Sequence, residues 1–570
     1  MRTLSLHCDY IKFKAEKKAV KDAPELNDKE KKEQEVKECL VVLTSVEKGD
    51  SQEELKQLLS SIEKHASEVK AKNIVLYPYA HLSSNLAPPK IALEMLEQAE
   101  HELKKKFNTT RAPFGYYKTF ELKTKGHPLS ELSKTFSSSK ENEVKSVEKE
   151  ITSEELKRLL KEMSTSKLDT SKLKDNDHRI LGQRLELFNF NEVAPGSTFW
   201  YPSGLHIYNK LMQFARNAQE KENYQEIATP QIFSNALWKV SGHWTHYKDN
   251  MFLTKYEDRD FGVKPMNCPG AMLLFKSKTR SYKDLPLRLS DFGYLHRMEL
   301  SGVLSGLFRV IRFMQDDAHI FCTNEQVGSE IASALKLIDF YYKKTFGFDY
   351  SLTLSTRPEK FMGEIEVWNQ AEKTLEAELK KAKIKYTINK GDGAFYGPKI
   401  DLHIKDSLNR SWQCGTIQLD MQIPLRFELN YTGADNKEHT PLVIHRAIFG
   451  SLERFIGILL EHLNGNLPLW LSPRQVRIIS FTDRNIKATE KIAQELKKAI
   501  PELKIDTDSR GDTVQAKIRD AELMKVNYIL VVGDKEENSK TLAVRPRGKK
   551  PEFGIKIDKF IKQLEEELIV

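Results

Sequence analysis

A chain of 570 residues is several times the usual domain length, so two to four domains with sizeable cores are expected, and a small stapled scaffold is excluded. Five cysteines (Cys8, Cys39, Cys268, Cys322, Cys414) are odd in number, widely spaced and form no CxxC pair, which argues against a disulfide framework and for a reducing, cytoplasmic setting. Lysine plus arginine number 90 against 81 acidic residues, a mild excess that permits an RNA partner without demanding one; a charged start and the lack of any run of about 18 apolar residues leave no membrane partner expected.

In chain order, "RTLSLHCDYIKF" and "ECLVVLTSVE" predict strands, "SQEELKQLLSSIEKHASEVKAK" a helix, "NIVLYPYA" a strand, and "PPKIALEMLEQAEHELKKKF" a helix opened by prolines. Residues 1–135 thus form a compact α/β module. The polar stretch that follows, with "SSSKENEVKSVEKE", a charged helix and "STSKLDTSKLKDND", predicts a linker over 136–177. Residues 178–470 hold most of the aromatic residues and the arginines set inside apolar runs. After "LPLWLSPRQ", strands alternate with helices again ("VRIISFT", "NIKATEKIAQELKKAI", "LKIDTDS", "TVQAKIRDAELMKV", "YILVVGD", "TLAVRPR"), which predicts a largely parallel sheet in a separate domain over 471–570.

Several basic groups interrupt apolar segments. "FGYLHRMELSG" carries Arg297 and Glu299 two apart, hence on one strand face; "GLFRVIRFMQDDAHIF" adds Arg309 and Arg312; "GSLERFIGILLEHL" sets Arg454 early in an apolar helix. Each alone fits a structural ion pair or a ligand clamp. In "QDDAHIF", His319 follows Asp316 and Asp317, and either histidine there or in "VIHRAI" suits a buried core position as well as a ligand. No GxxxxGK[ST] phosphate loop occurs.

Together, the "TP" at Thr229 and Pro230, "HRME" and "FGSLERFIGIL" resemble the three signature motifs of class II aminoacyl-tRNA synthetases. The strings "GHWTHYKDNMF", "KPMNCPGAMLLFKSKTRSYKDLPLRL", "QDDAHIFC", "STRPEKF", "GAFYGPKIDLHI", "QCGTIQLD" and "VIHRAIFGSLERFIGILLEH" are similar to the threonine-specific family across residues 178–570, including a third motif whose glycines reduce to Gly450. The resemblance implies a multidomain α/β and α+β chain with an antiparallel-sheet catalytic core and flanking helices. It implies ATP-dependent activation of threonine and transfer to tRNA(Thr). Arg297 would then grip the α-phosphate, Arg454 and Arg309 the far end of a bent triphosphate with Mg2+, and Glu299 would lie near the adenine. A guanidinium forked onto phosphate suits that chemistry. A non-catalytic RNA-binding paralogue of the same fold is the alternative, and retention of the motif arginines speaks against it.

Threonine and valine are nearly isosteric, and an apolar pocket separates such a pair by only about 10². Zinc with an open coordination position would do better, because it can bind an amine and a hydroxyl together. The resemblance implies Cys268, His319 and His445 as its ligands, 51 and 126 residues apart and so in no finger or ribbon pattern. It further implies Asp317 as acceptor for the substrate hydroxyl, with Met266, Gln315, Tyr396, Lys399, Gln413, Thr416 and Gln418 lining the pocket. His243 of "SGHWTH" would help the terminal ribose of tRNA attack.

Serine carries the same amine and hydroxyl, so a hydrolytic second site is expected. "HCDYIKF", "VLYPYAHLSSNLA", "APFGYYKTF" and "KGHPLSEL" resemble the editing domain of archaeal-type members, a relative of D-aminoacyl-tRNA deacylases. That implies His81, Tyr117, Lys118, His127 and Glu131 as editing residues, although Lys118 alone would pass for a solvent-facing strand lysine. The last domain resembles the anticodon-binding domain of several class II enzymes, with Glu536, Arg545 and Arg547 at the RNA edge. Motif 1 implies a homodimer.

Overall fold

The structure is a computed structural model that describes residues 1–20, 23–83, 85–136, 153–163, 171, 173–406 and 408–569. The chain divides into two compact units, Met1–Ile151 and Thr152–Val570. Among the described residues no helix is long and apolar enough to cross a membrane.

The first unit is built on one long strand, Arg2–Lys18, whose apolar alternation continues past the predicted end at Phe13. Strand Gln34–Ser45 lies antiparallel along one edge; the other edge is shared by Glu131–Thr135, beside Arg2–Leu6, and Tyr116–Thr124, beside Cys8–Lys18. Strands Asn73–Pro78 and Asn108–Arg111 extend the sheet in parallel, as the helical crossovers Gln52–Glu68 and Pro89–Lys104 require. Both helices cover one face, over Leu40, Val42, Ile74 and Leu76. The opposite face gathers Cys8, Ile11, Phe13, Val41, Leu43 and Tyr77. The predicted linker falls mostly on 137–152 and 164–170, outside the described residues; within it the polar helix Ser153–Glu162 is present.

The second unit centres on an eight-stranded sheet. In spatial order its strands are Tyr386–Asn389, Ser351–Ser355, Lys399–Lys405, Ser411–Asp420, Leu442–Ser451, Arg312–Cys322, Leu287–His296 and Gln225–Ile227. Every inner pairing is antiparallel; only the two edge strands run parallel to their neighbours. Helices Pro202–Lys221, Val327–Asp339 and Leu452–His462 pack an apolar core against one face, through Leu211, Phe214, Ile331, Phe455 and Leu459. The other face is covered at one end by helix Cys268–Lys276, whose Ala271, Met272 and Phe275 pack on Leu287, Leu289, Phe321 and Val443, and carries polar side chains elsewhere.

The C-terminal sheet has the spatial order Ile505–Asp508, Val476–Ser480, Tyr528–Val532, Leu542–Pro546 and Glu552–Ile555. Three strands are parallel as predicted, but the last two are antiparallel. The cause lies in the connection. Only the six-residue helix Asp534–Ser539, closed by Lys540 at φ +53°, joins Tyr528–Val532 to Leu542–Pro546, which is too short for the dozen or so residues of a parallel crossover.

Candidate active site and metal centre

Strand period places Gln315, Asp317 and His319 on one face of Arg312–Cys322, and all three line a cavity of about 440 Å³ on the side of the large sheet that carries helix Cys268–Lys276. Register brings the distant histidine in: His319 is directly paired with His445 across the antiparallel ladder, and His445 with Gln418 on its other side. Cys268 enters from the first turn of helix Cys268–Lys276. The candidate ligand atoms of Cys268, His319 and His445 all lie within 4.8 Å of one another, and all three residues are buried.

These residues fit a metal. The Nδ1 of His319 is buried without a hydrogen-bond partner. His445 sets its Nε2 2.8 Å from the Asp420 carboxylate, which leaves its other nitrogen as a donor, the carboxylate–histidine arrangement common at zinc sites. Asp420 is itself fixed by the backbone N–H groups of Gln422 and Ile423. Burial, then His445, holds His319 well below its ordinary value, which favours the neutral form that a metal ligand needs; burial pushes the Cys268 thiol up, a cost that a soft divalent ion would offset by taking the thiolate.

Beside this triad, Asp317 accepts a 2.8 Å hydrogen bond from Asn267, and burial lifts its carboxyl to about 6. Its neighbour Asp316 faces the opposite side of the sheet. There it accepts from the N–H groups of Ile448, Phe449 and Gly450 and so fixes the turn that leads into helix Leu452–His462. Gly450 has φ +69°, and a Cβ there would sit 2.0 Å from the Cys414 carbonyl oxygen. One glycine therefore suffices for the motif because only one position meets both constraints.

The other wall is cross-braced around Asp401, which is 1% exposed. It accepts from Gln413 (2.6 Å), Thr416 (3.0 Å) and Ser355 (2.8 Å), and its carboxylate lies 2.9 Å from the Lys399 ammonium. Tyr396 donates to Gln418 at 2.5 Å. Met266 also lines the cavity.

At the opposite end stand three arginines. The strand ends at His296, so Arg297 and Glu299 lie just beyond the strand predicted to carry them, yet both side chains line the cavity. Arg297 donates to the Pro265 carbonyl and packs 5.0 Å over the Phe313 ring. Arg454 donates to the carbonyls of Phe308 (2.8 Å) and Gln413 (2.6 Å), and burial lowers its ordinary value. Arg309 pairs with Glu299 at 2.9 Å. Arg312 instead stacks 3.9 Å from the Tyr294 ring. His243 does not line the cavity. It is 0% exposed, with Nδ1 2.8 Å from Ser241 Oγ and Nε2 3.0 Å from Met266 Sδ, and burial lowers it to about 3.

In the first unit the expected editing residues separate. The Lys118 ammonium donates to the carbonyls of Pro113 and Tyr116 and lies 5.0 Å over the Tyr77 ring; burial lowers it to about 8. It is not the solvent-facing lysine that strand position alone suggests. Tyr77, Tyr79 and His81 follow as a series of ring contacts, while Tyr117 is 64% exposed. Glu131 is exposed, opposite Leu6. His127 meets His7 at 2.8 Å, and His7 pairs with Leu40, whose side chain belongs to the helix-covered face. Lys118, opposite Ala15, and His127 therefore sit on opposite faces of the sheet.

In the C-terminal domain Arg545 and Glu536 are half-buried, 3.9 Å from Glu522 and bonded to the Gly533 N–H respectively. Arg547 turns inward. Its guanidinium donates to the carbonyls of Lys525 and Leu467, which spends it on the junction with the preceding domain instead of on an RNA edge.

A solved structure titled as the RNA binding domain of threonyl-tRNA synthetase from Cryptosporidium parvum Iowa II aligns with TM-score 0.66 and 45% identity, over 69% of this chain and 98% of that one. The chain belongs to the threonyl-tRNA synthetase family. Family models agree segment by segment: the archaea-specific editing domain of threonyl-tRNA synthetase matches residues 1–136, the class II core domain (G, H, P, S and T) 252–463, and an anticodon binding domain 475–567. A putative threonyl-tRNA synthetase, ThrRS-1 from Aeropyrum pernix, aligns at 28% identity and TM-score 0.61, over 69% of this chain and 96% of that one. The threonine–tRNA ligase of Desulforamulus reducens is 49% identical over 395 residues, 69% of this chain, and that of Carboxydothermus hydrogenoformans 50% identical over 375, or 66%. The chain spans 62% and 59% of the lengths of these two relatives. The fold is accordingly that of a multidomain synthetase: an editing domain, a class II core and an anticodon-binding domain.

Three residues that shape the synthetase cavity escaped the sequence reading: Asn267, Asp401 and Asp420. Asp401 in "KIDLHI" and Asp420 in "IQLDMQI" are the detectable ones, since a carboxylate flanked by strand-forming aliphatic residues is costly unless something holds it.

Proposed function

We propose that this chain is a threonine–tRNA ligase with cis editing. The observation that carries the reading is one cavity with a Cys268/His319/His445 cluster and Asp317 at one end and Arg297, Arg309 and Arg454 at the other. Activation joins the amino-acid carboxylate to the α-phosphate of ATP and expels pyrophosphate, so negative charge builds on phosphate oxygens. Arg297 is placed to neutralise it, and Arg454 and Arg309 to hold a triphosphate bent back toward Glu299, with Mg2+ accompanying ATP. The 2.9 Å Arg309–Glu299 pair supports this, because a bent nucleotide needs its far phosphate and its base close together.

A zinc ion held by Cys268, His319 and His445 would supply a Lewis-acid position that accepts an amine and a hydroxyl together and so rejects valine. Asp317, oriented by Asn267, accepts the hydroxyl's hydrogen bond. Gln413, Thr416 and Lys399, oriented by Asp401, and Tyr396 with Gln418 position the aminoacyl end, beside Met266 and Gln315. His243 would assist transfer to tRNA(Thr) only after it emerges from behind Met266.

Residues 1–135 serve as the editing domain, 136–177 as linker, 178–470 as catalytic domain and 471–570 as anticodon-binding domain. Lys118, deprived of water and near Tyr77, stabilises the developing oxyanion at the ester carbonyl of seryl-tRNA, with the RNA's own hydroxyl assisting. His81 and Glu131 lie toward that face, Tyr117 is exposed at the next strand position, and His127 acts from the other face or supports the fold through His7. Two copies associate through the motif 1 region, where Phe199, Tyr201 and Ile232 are 43%, 42% and 51% exposed, in a cytoplasmic enzyme.

ATP–pyrophosphate exchange with a panel of amino acids tests the reading. Threonine should be activated strongly, serine weakly and valine not at all. Exchange driven best by another amino acid, or by none, would overturn it.

A further inference from the structure

Behind the nucleotide end of the cavity lies a buried group that the reaction scheme above leaves unused: Asp177, His178 and Glu461, which are 5%, 1% and 3% exposed. Their donor atoms lie close enough to suggest a metal. The hydrogen bonds argue otherwise. Asp177 caps its helix through the Arg179 N–H and is forked by the Arg179 guanidinium. His178 uses both ring nitrogens. Nε2 accepts the Leu307 N–H at 3.1 Å, so Nδ1 carries the proton and donates to Glu461 at 2.7 Å.

What this ring holds is the turn that leads into Arg309. The His178 and Phe308 rings meet at 4.2 Å, and Phe308 packs in turn against Trp412 at 4.8 Å, the two rings tilted by 47°. The Phe308 carbonyl accepts from Arg454 Nε, and Arg309 is the next residue. Gly306 adopts φ +50°, and a Cβ there would lie 2.3 Å from His178 Nε2. The turn is therefore closed onto the imidazole by both backbone conformation and contact.

We propose that His178 is a positioning residue for nucleotide binding. It locks residues 306–308 so that the Phe308 carbonyl, and its ring through Trp412, hold Arg454 in place and Arg309 emerges into the cavity. It touches neither nucleotide nor amino acid. This rests on reading that end of the cavity as the ATP site.

The test compares the full-length parent with His178→Ala, His178→Gln and Gly306→Ala. KM for ATP and KM for threonine are read by pyrophosphate exchange, and ATP affinity by calorimetry without amino acid. Losing the Leu307 bond and the ring support should weaken ATP by about tenfold in His178→Ala and Gly306→Ala by both measures, with KM for threonine within about twofold of the parent. His178→Gln, whose amide keeps an acceptor, should recover part of the loss. A merely structural role would lower the active fraction and leave both KM values alone. That result, or equal rises for ATP and threonine, overturns the proposal. If His178→Ala does not fold, the same split in the other two variants decides. A parent that binds ATP yet activates no threonine defeats the functional reading, while the calorimetric arm still judges His178.

Discussion

The two regions assigned chemistry in this chain are built on opposite plans. In the catalytic cavity much of the candidate set is held by neighbours: Asp317 by Asn267, His445 by Asp420, and Lys399, Gln413 and Thr416 by Asp401. In the N-terminal unit the expected groups lie on two faces of one sheet, and Tyr117 and Glu131 stand exposed. A site that must choose among amino acids differing by a methyl or a hydroxyl needs fixed geometry. A site that only hydrolyses an ester already formed can borrow groups from its RNA substrate. Lys118 is the group that makes the comparison testable, since burial lowers it to about 8.

The largest effect is expected at the braced end. Cys268→Ala or His319→Ala should reduce threonine activation by on the order of a thousandfold or more and lower bound zinc in the purified protein in parallel. Zinc analysis together with pyrophosphate exchange checks this. A variant that lost its metal but kept full activation would remove the metal from the proposed mechanism.

Next comes Lys118→Met, which keeps the stem and removes the ammonium. Hydrolysis of seryl-tRNA should fall by about a hundredfold while threonine activation stays within about twofold. The stability prediction carries the opposite sign. Because burial lowers Lys118 from its ordinary value to about 8, the folded unit bears an unfavourable charge below pH 8 and sheds it as the pH rises from there toward the unfolded value. The variant should therefore melt no lower than the parent at pH 7, and the gap should narrow above pH 8. A variant that melts well below the parent at every pH would mean the carbonyl bonds to Pro113 and Tyr116 outweigh the desolvation.

A smaller effect is expected one layer behind the metal. Asp420→Asn should weaken zinc retention by about 10- to 100-fold, since it alters the group that orients His445, yet it touches no substrate. Chelator competition measures this directly. Unchanged retention would show that the backbone of the Leu442–Ser451 strand alone orients the ring.

This bracing also explains what could and could not be read from the sequence. Period two and period 3.6 gave the main strands and helices of the two terminal domains, and period two puts Asp317 and His319 on one face. Periodicity does not say which strand a residue will meet. His319 and His445 are paired across a ladder whose strands are 126 residues apart, and no spacing rule reaches that far. Similarity to known synthetases is what brought Cys268, His319 and His445 together as candidates. It did not reveal Asn267, Asp401 or Asp420, because their work is to orient other side chains. Nor did it show that Arg547, expected at an RNA edge, donates to two backbone carbonyls.

That arginine gives the last and smallest contrast, between a braced and a less encumbered group in a single strand and turn. Arg547→Ala removes two charge-assisted bonds to the carbonyls of Lys525 and Leu467 and leaves both acceptors in a half-buried junction, so it should cost about 1–3 kcal/mol of stability. Its effect on tRNA affinity should be slight once the protein is folded. Arg545 makes only a 3.9 Å approach to Glu522, and its replacement by alanine should change stability by less than about 0.5 kcal/mol. If Arg545 reaches a tRNA phosphate, the variant should weaken tRNA binding across sequences and lower the salt slope by about one. Thermal melts and tRNA titrations at several salt concentrations separate the two. An Arg547→Ala protein that melts like the parent but loses tRNA affinity would return Arg547 to the RNA edge, and would show that its inward bonds break when RNA binds.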